Sequence, residues 1–352
     1  GIRDYMVTGV QTCALPIYSI GPKTIPNDRF DYSSALAESW KSMMLLNIVK
    51  TRYLDLPIFL DVGQVVSGYS LQTGVSVNGQ IARTGAGDTF LGIGGQGTFT
   101  QNPTITYTPQ TGDQFLKGFM EPVAPARIFS LVQSGYAADF ILQLGLESLN
   151  GLRNQPMSIA STAQADPEFF TVLKRLREIQ DARAVGLTVD RPTNGEPATV
   201  MFFRSDSASA EIQDKIQEAR RLLGVAPHSA SLRLVQSPLR GGPGELAVET
   251  RSIWQIIGAL SLGVQIPAVH TERRLTPPLP PAINEDAFLM RVQSGAERPK
   301  QSFVAVPYEG AWFWIADDDW KSKRAFSSIL FLFTLSDSNS PQSLPALTIP
   351  TR

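Results

Sequence analysis

The clearest pattern in the chain is an alternation of apolar and small polar residues between positions 65 and 108. Apolar residues recur at odd positions in both halves of this stretch: Val65, Tyr69, Leu71, Val75, Val77 and Ile81, then Leu91, Ile93, Phe99, Ile105 and Tyr107. Mostly glycine, serine, threonine, asparagine and glutamine lie between them. Because successive side chains of a strand point to opposite faces, the pattern predicts a long β-hairpin over residues 65–108.

Helical spacing of apolar residues predicts several helices around this hairpin. The first covers residues 33–50 and has a stripe expected to be buried: Trp40, Met43, Met44, Leu46 and Val49. Further helices are predicted over 125–133, 137–149, 208–223 and 252–262, from Asp166–Pro167 onward, and from 317–319 to about 335. Strands are predicted at 185–189, 199–203, 232–236, 245–249, 303–306 and 312–315. Together these elements predict an α+β fold, with helices packed on antiparallel sheets.

Polar and proline-rich stretches divide the pattern into two or three modules. An N-terminal α+β module is predicted over residues 18–155 and contains the hairpin. A middle α+β module is predicted over residues 156–275. The segment 276–352 opens with a proline-rich, polyproline-like connector and continues as a C-terminal β-hairpin and helix.

Composition restricts the class of partner. The chain has 31 Lys and Arg against 32 Asp and Glu, a formal net charge of −1 at pH 7. This balance provides no electrostatic footprint for nucleic acid. Charged residues make up only 18% of the chain, below the ~25% of typical domains. Polar surface must therefore come from uncharged residues, a bias that favours an extracytoplasmic bacterial protein.

Residues 1–17 do not read as natural protein sequence. Back-translation of residues 1–4 and 7–17 reproduces the two constant arms of a common indexed short-read sequencing adapter, in order and in one frame. We therefore expect the native sequence to begin near Tyr18 or Ser19, and the preceding residues carry no information about the fold. The only cysteine, Cys13, lies in this segment, so no disulfide framework is expected in the native part.

One motif invites a catalytic interpretation. Residues 85–88, Gly-Ala-Gly-Asp, resemble the signature of ribokinase-like sugar kinases, in which a helix follows the turn and the aspartate is the general base. Here glycine- and threonine-rich sequence follows, which favours a strand. We therefore interpret Asp88 as part of a hairpin turn.

The other candidate motifs have ordinary structural explanations. The glycines within residues 241–244 lack the strand–loop–helix context of a phosphate loop. The three aspartates at 317–319 are interpreted as a helix cap rather than a metal site. His228 and His270 lie beside proline-containing loops and are interpreted as surface residues. The sequence thus predicts no catalytic, cofactor-binding or metal-binding residue.

Six stretches carry a family resemblance: residues 28–32, 46–50, 57–62, 103–109, 312–315 and 347–350. They resemble exported proteins of Gram-negative bacteria that are commonly predicted to be lipoproteins and whose activity is not established. The resemblance implies a periplasmic or outer-membrane-anchored location, with a signal peptide and a lipobox cysteine before Ser19. It implies no cofactor and no site residue. In this chain the adapter sequence stands where that anchor is expected.

These features predict a binding or structural protein of the bacterial envelope, whose partner is another envelope protein or a second copy of itself. An envelope hydrolase or transferase with a site assembled from scattered residues is the enzymatic alternative. A third alternative is a component of an oligomeric outer-membrane barrel that receives hairpin 65–108 from several copies. For the hairpin itself, the competing prediction is a sheet packed on helix 33–50, with its polar face in water.

Overall fold

The computed structural model describes residues 21–80, 90–109, 113–156, 164–190, 198–204, 208–227, 229, 231–279, 285 and 288–336. The adapter-like segment 1–17, the turn containing Asp88, and His228 lie outside these residues. For the hairpin from residue 61 onward the structure describes the backbone alone. The predicted burial of its apolar face therefore also lies outside what is described.

The chain has an α+β fold. Its helices are α1 Gly21–Arg52, α2 Asp113–Met120, α3 Pro125–Gln133, α4 Ala138–Gly145, α5 Pro167–Asp181, α6 Ala210–Leu223, α7 Ile253–Ser261, α8 Ala268–Glu272 and α9 Trp320–Ser336. Its strands are β1 Leu60–Gln80, β2 Phe90–Pro109, β3 Leu146–Leu149, β4 Leu152–Arg153, β5 Val185–Asp190, β6 Ala198–Phe203, β7 Ser231–Gln236, β8 Glu245–Thr250, β9 Gln293–Gly295, β10 Val304–Tyr308 and β11 Ala311–Ile315.

A six-stranded sheet in the order β4-β3-β8-β7-β6-β5 forms the centre of the molecule. Its neighbouring strands are antiparallel except β7 and β8, which run parallel. Strands β3 and β4 precede the module boundary predicted near residue 155, and the other four follow it. Buried residues from α1 through α9 belong to one continuous apolar cluster. The predicted N-terminal and middle modules therefore share a sheet and a core.

The predicted helix 137–149 is wrong in its last part, because residues 146–149 form strand β3. This strand pairs with β8 on one side and with β4 on the other. Asn150 and Gly151, which follow the predicted helix, form the two-residue turn between β3 and β4, with φ of 49° and 85°. Positive φ at both central residues is the requirement of a type I′ hairpin turn, which Asn-Gly satisfies. The Asn-Gly dipeptide therefore connects two antiparallel strands.

The side chain of Asn150 joins this turn to three other segments. Its amide nitrogen donates to the carbonyl of Leu223 at the end of α6, at 2.6 Å. Its amide oxygen accepts from the backbone N–H of Gly241, at 2.9 Å, and of Ala247, at 3.2 Å. The glycine-rich loop 241–244 thus has a structural partner in the sheet.

Helix α1 is longer than predicted, since it begins at Gly21 rather than near residue 33. Met44 and Val49 are buried as expected, but Trp40 is 42% exposed and was wrongly placed in the buried stripe. The helix packs on α7 and β10. Within the described residues, no helix combines the length and the hydropathy needed to cross a membrane.

The predicted hairpin is confirmed, and its strands extend further than residues 65–108 on the β1 side. Strands β1 and β2 pair over their whole length as a two-stranded sheet. The register pairs odd positions with odd positions, as in Val65 with Ile105 and Leu71 with Phe99. The pairing shifts between Val62 and Gln64, so that Gly63 forms a bulge.

Two charged side chains make contacts that the sequence pattern does not indicate. Asp166 stands at the start of α5, but its carboxylate makes no capping hydrogen bond and instead pairs with the guanidinium of Arg153 at 3.2 Å. Arg220 of α6 is buried and donates to the carbonyls of Pro227 and Ser229, both at 2.8 Å. The C-terminal prediction is confirmed, because β10 pairs with β11 and Asp319 accepts from the Ser322 N–H in the first turn of α9.

We expect Asn150→Ala to destabilise the protein by about 2–4 kcal/mol, because three hydrogen bonds are lost and an alanine is strained at positive φ. Asn150→Gly keeps the turn conformation and removes the same side chain, so its loss should be smaller by about 1 kcal/mol. Urea denaturation of both variants measures the difference. Equal stability of wild type and Asn150→Gly would show that the side-chain bonds contribute nothing.

Candidate functional site

A cavity of about 600 Å³ lies beside the six-stranded sheet, between helices α3, α4 and α5 and strands β5 and β6. This volume falls within the ~300–1,000 Å³ of small-molecule sites. Most of the described wall is apolar: Phe129, Val132, Ala138, Leu142, Leu176, Val185, Leu187, Met201 and Phe202. Gly186 lets the ring of its cross-strand neighbour Phe202 approach, since a Cβ there would lie 2.6 Å from the ring. The cavity is therefore a mainly apolar space formed by regular elements.

Gln180 near the end of α5 fixes one side of this space. Its amide nitrogen donates to the carbonyls of Val132, at 2.7 Å, and Tyr136, at 2.8 Å. Its amide oxygen accepts from the backbone N–H of Ala138, at 2.9 Å. The turn between α3 and α4 is thereby held against α5. These bonds satisfy backbone groups at the cavity wall, so the site is preorganised.

Polar groups of the cavity wall are dominated by arginine. Arg177 forms an ion pair with Asp181 at 3.0 Å. Arg183 and Arg204 are exposed and line the same cavity. No described carboxylate lies within salt-bridge distance of either. The described wall thus has two guanidinium groups that form no salt bridge with a described residue.

Arg183 occupies a backbone position that usually favours glycine. Its φ is 55°, and the bonds from Arg183 N–H to Gln180 O and from Ala184 N–H to Ile179 O end α5 in a Schellman motif. Helix α6 ends in the same motif with Gly224. Leu54 and Arg274 also have positive φ, so this conformation alone does not mark a site. For Arg183 it places a long cation on the cavity wall at a small conformational cost.

The arrangement can bind a ligand with an apolar body and an anionic group. The apolar wall would exclude water from the body, and the two arginines can donate charge-assisted hydrogen bonds to a carboxylate, sulfonate or phosphate. The described wall contains no histidine, serine, threonine, cysteine, tyrosine or lysine, and its one carboxylate is paired. These residues therefore supply binding groups rather than a nucleophile and its base.

Among the described residues that the sequence singled out, none lines this cavity. Asp317 pairs with Lys323, Asp319 caps α9, and the described residues contain no cluster of three or more potential metal ligands. The cavity arginines were missed because they lie just beyond the ends of α5 and β6, where periodicity gives no signal. The only available sign was Arg183 at the position where a helix commonly ends in glycine.

His270 was wrongly interpreted as a surface residue, because it is 1% exposed. Its Nε2 lies 3.1 Å from the carbonyl of Glu309, which can only accept, so Nε2 carries the proton. Its Nδ1 accepts from the hydroxyl of Tyr53 at 2.6 Å. Both ring nitrogens are therefore used to join α1 and α8 to the β10–β11 turn. The five-residue helix α8 is too short to show this burial by periodicity.

Two tyrosines around His270 have raised pKa values. Burial raises the pKa of Tyr53 to about 12. Burial also raises the pKa of Tyr308 to about 12, helped by the hydrogen bond that its hydroxyl donates to Asp55, at 3.1 Å. The backbone N–H of Leu56 lowers the pKa of that carboxyl group, with a smaller contribution from Tyr308. The cluster therefore keeps both phenols protonated.

A buried cation lies next to this cluster. Arg52 is 2% exposed and donates to the Thr276 hydroxyl, at 2.5 Å, and to the Pro277 carbonyl, at 3.0 Å. Burial lowers the pKa of its guanidinium. It lies on the wall of a cleft of about 1260 Å³, but its unpartnered Nε is covered by protein. Arg52 therefore acts first as a link between α1 and the proline-rich segment.

We expect the folded state to lose stability between about pH 10 and 12. A phenol with a raised folded-state pKa stabilises the fold fully below the unfolded pKa of ~10, and that contribution is lost as the pH rises through the folded value. Urea denaturation at stepped pH measures the slope. The double variant Tyr53→Phe, Tyr308→Phe should show a shallower loss than wild type over this window. An identical slope in the two proteins would contradict the assignment.

Comparisons with known proteins do not extend this picture. No protein-family model matches the chain, and no match is found among curated proteins or among solved structures.

Proposed function

We propose that this chain is a binding protein of the bacterial envelope that holds a small amphiphilic anion in the cavity between α3, α4, α5 and the β5–β6 strands. The observation that carries the proposal is the pairing of an apolar wall with Arg183 and Arg204, two cations without a described carboxylate partner. Apolar surface and a few convergent polar groups are typical of ligand sites. A fatty-acid-like carboxylate is the simplest ligand of this chemistry.

The envelope location is supported by composition and resemblance. Only 18% of the residues are charged, and the six resembling stretches are typical of exported proteins of Gram-negative bacteria. A periplasmic or outer-membrane-anchored protein meets amphiphilic anions released from the surrounding lipid. A carrier or sensor of such molecules suits a site with binding groups and no nucleophile in its described wall.

The ligand class can be tested with decanoate and decanol, which share an apolar chain and differ in charge. Calorimetry at neutral pH should show saturable binding of decanoate by the full chain. Decanol should bind at least about tenfold more weakly, because charge-assisted hydrogen bonds contribute ~1.5–3 kcal/mol each. Equal affinity for both compounds, or binding of neither, would contradict the proposal.

Two arginine variants should separate the site from general charge effects. The double variant Arg183→Gln, Arg204→Gln should reduce decanoate affinity by about tenfold or more while leaving decanol binding unchanged. The matched control is Arg233→Gln, Arg273→Gln, which removes the same charge from exposed positions outside the cavity. If the control loses as much affinity as the site variant, attraction by net charge explains the binding.

Arg183→Gly should show opposite effects on stability and binding. Glycine relieves the positive φ at the end of α5 and should raise the free energy of unfolding by about 0.5–1 kcal/mol. The same change removes a guanidinium and should weaken decanoate binding about tenfold. Thermal denaturation and calorimetry measure the two effects. A variant that is both more stable and fully active in binding would exclude Arg183 from the site.

A further inference from the structure

Within the described residues, both outer edges of the long hairpin lack a strand partner. Among the described strands, β1 and β2 form a sheet by themselves, whereas the other nine belong to the two larger sheets. A two-stranded sheet is at best marginally stable in water. Unpaired edges of about twenty residues are also a template for pairing with another chain. The hairpin therefore needs further strands, and the described part of this copy does not supply them.

The register gives the hairpin two chemically different faces. Above the bulge, Val65 pairs with Ile105, Leu71 with Phe99 and Val77 with Ile93. The opposite face consists mostly of paired glycine, serine, threonine, asparagine and glutamine positions, as in Ser70 with Thr100, and its large apolar exceptions are Val66 and Phe90. Because side chains alternate along each strand, one continuous face collects the large apolar positions and the other collects small polar ones.

The bulge at Gly63 extends this division to the base of the hairpin. Below it the alternation in β1 changes from odd to even positions, and Val62 pairs with Tyr107. The extra residue thus keeps Leu60 and Val62 on the apolar face, although their sequence positions are even. Just before the sheet begins, Ile58 and Leu56 are 54% and 74% exposed.

The base of the hairpin, residues 58–60, is firmly attached to the body, by which we mean the described chain outside β1 and β2. The side chain of Asn47 donates to the carbonyl of Ile58, at 2.8 Å, and accepts from its N–H, at 3.0 Å. Phe59 is buried and packs against Phe119, with ring centroids 5.1 Å apart, and against Phe333, at 5.0 Å. These contacts hold the segment in place, while the side chains of Leu56, Ile58 and Leu60 remain exposed.

The hairpin lacks the charges that keep strand edges apart in water. Between Asp61 and Arg83, and between Asp88 and Asp113, the sequence contains no charged residue. Sheets with edges in water commonly carry lysine or other charges on edge strands. An apolar face, a small polar face and no charge on either are the pattern of strands that face lipid on one side and a lumen on the other.

We propose that the hairpins of several copies of this chain pair edge to edge into a closed sheet within a lipid bilayer. The free edge of β1 in one copy pairs with the free edge of β2 in the next, which is a head-to-tail contact that closes as a ring. Closure satisfies the backbone groups of every edge, as a bilayer requires. A bilayer is crossed by ~9–11 residues of a strand, and each strand here has about twice that length, 21 and 20 residues.

Dye release from vesicles tests the insertion of the apolar face. The full chain is added to vesicles of phosphatidylethanolamine and phosphatidylglycerol loaded with carboxyfluorescein, and release is followed. Val75→Lys, Val77→Lys adds two charges to the apolar face and should lower the rate of release more than about tenfold. Ser76→Lys, Asn78→Lys adds the same charges to the other face of the same strand and should lower it less than about threefold.

Thermal denaturation shows whether a variant loses dye release because the hairpin fails to insert or because the rest of the protein unfolds. The body should melt at the wild-type temperature in both double variants, because the hairpin forms its own sheet. If Val75→Lys, Val77→Lys unfolds the body, the apolar face packs within one copy and the proposal is wrong. It is equally wrong if wild-type protein releases no dye, or if both variants lose release alike.

Disulfide trapping tests the contact between copies. In a Cys13→Ser background, chains carrying Gln72→Cys are mixed with chains carrying Gln96→Cys, Thr98→Cys or Thr100→Cys, and oxidised with and without vesicles. A disulfide requires Cα atoms within ~7 Å, so β1–β2 mixtures should form linked dimers at one of these registers in vesicles. Linked dimers in no mixture, or equally in water and in vesicles, would overturn edge-to-edge assembly in the bilayer. Neither result depends on the amphiphile cavity.

Discussion

The fold depends on hydrogen bonds that one amide side chain makes between distant parts of the chain. Asn150 stands in the turn between β3 and β4 and binds the end of α6, the glycine-rich loop and strand β8. The turn precedes the module boundary predicted near residue 155, and the three segments that it binds follow that boundary. A turn with two positive φ values is needed to bring the amide into this position, and the Asn-Gly dipeptide provides it. The central sheet is thus supported by a local backbone conformation in addition to apolar burial.

Buried arginine side chains perform a similar function elsewhere in the molecule. Arg52, Arg220 and Arg251 are all nearly inaccessible, and each donates to the main-chain carbonyl of a loop. Arg251 also pairs with Glu147 at 2.8 Å. Guanidinium groups suit this role because they present several donors in a rigid plane. In a chain with few charged residues, part of the positive charge serves to fasten loops to the core.

Elements whose residue pattern depends only on neighbours in the sequence could be predicted. Alternation identified the hairpin, and helical spacing identified α3 within its observed bounds. Residues 146–149 were assigned to a helix because their strand conformation is imposed by pairing with β8, about a hundred residues later. His270 was misjudged for the same reason, since its partners Tyr53 and Glu309 are distant in sequence. The candidate cavity could not be predicted, because its wall combines residues from five elements and its arginines lie where periodic patterns end.

Because the side chains of each strand alternate between the two faces of the hairpin, a strand cannot lengthen or shorten by one residue without exchanging its faces. Loss or gain of a single residue in β1 above Gly63 would move every later apolar position of that strand to the face of Ser70 and Thr100. The bulge shows how the chain absorbs one odd residue, with a glycine left outside the regular pairing. Natural relatives of this hairpin should therefore differ in strand length by even numbers of residues, or carry an additional bulged glycine where the difference is odd.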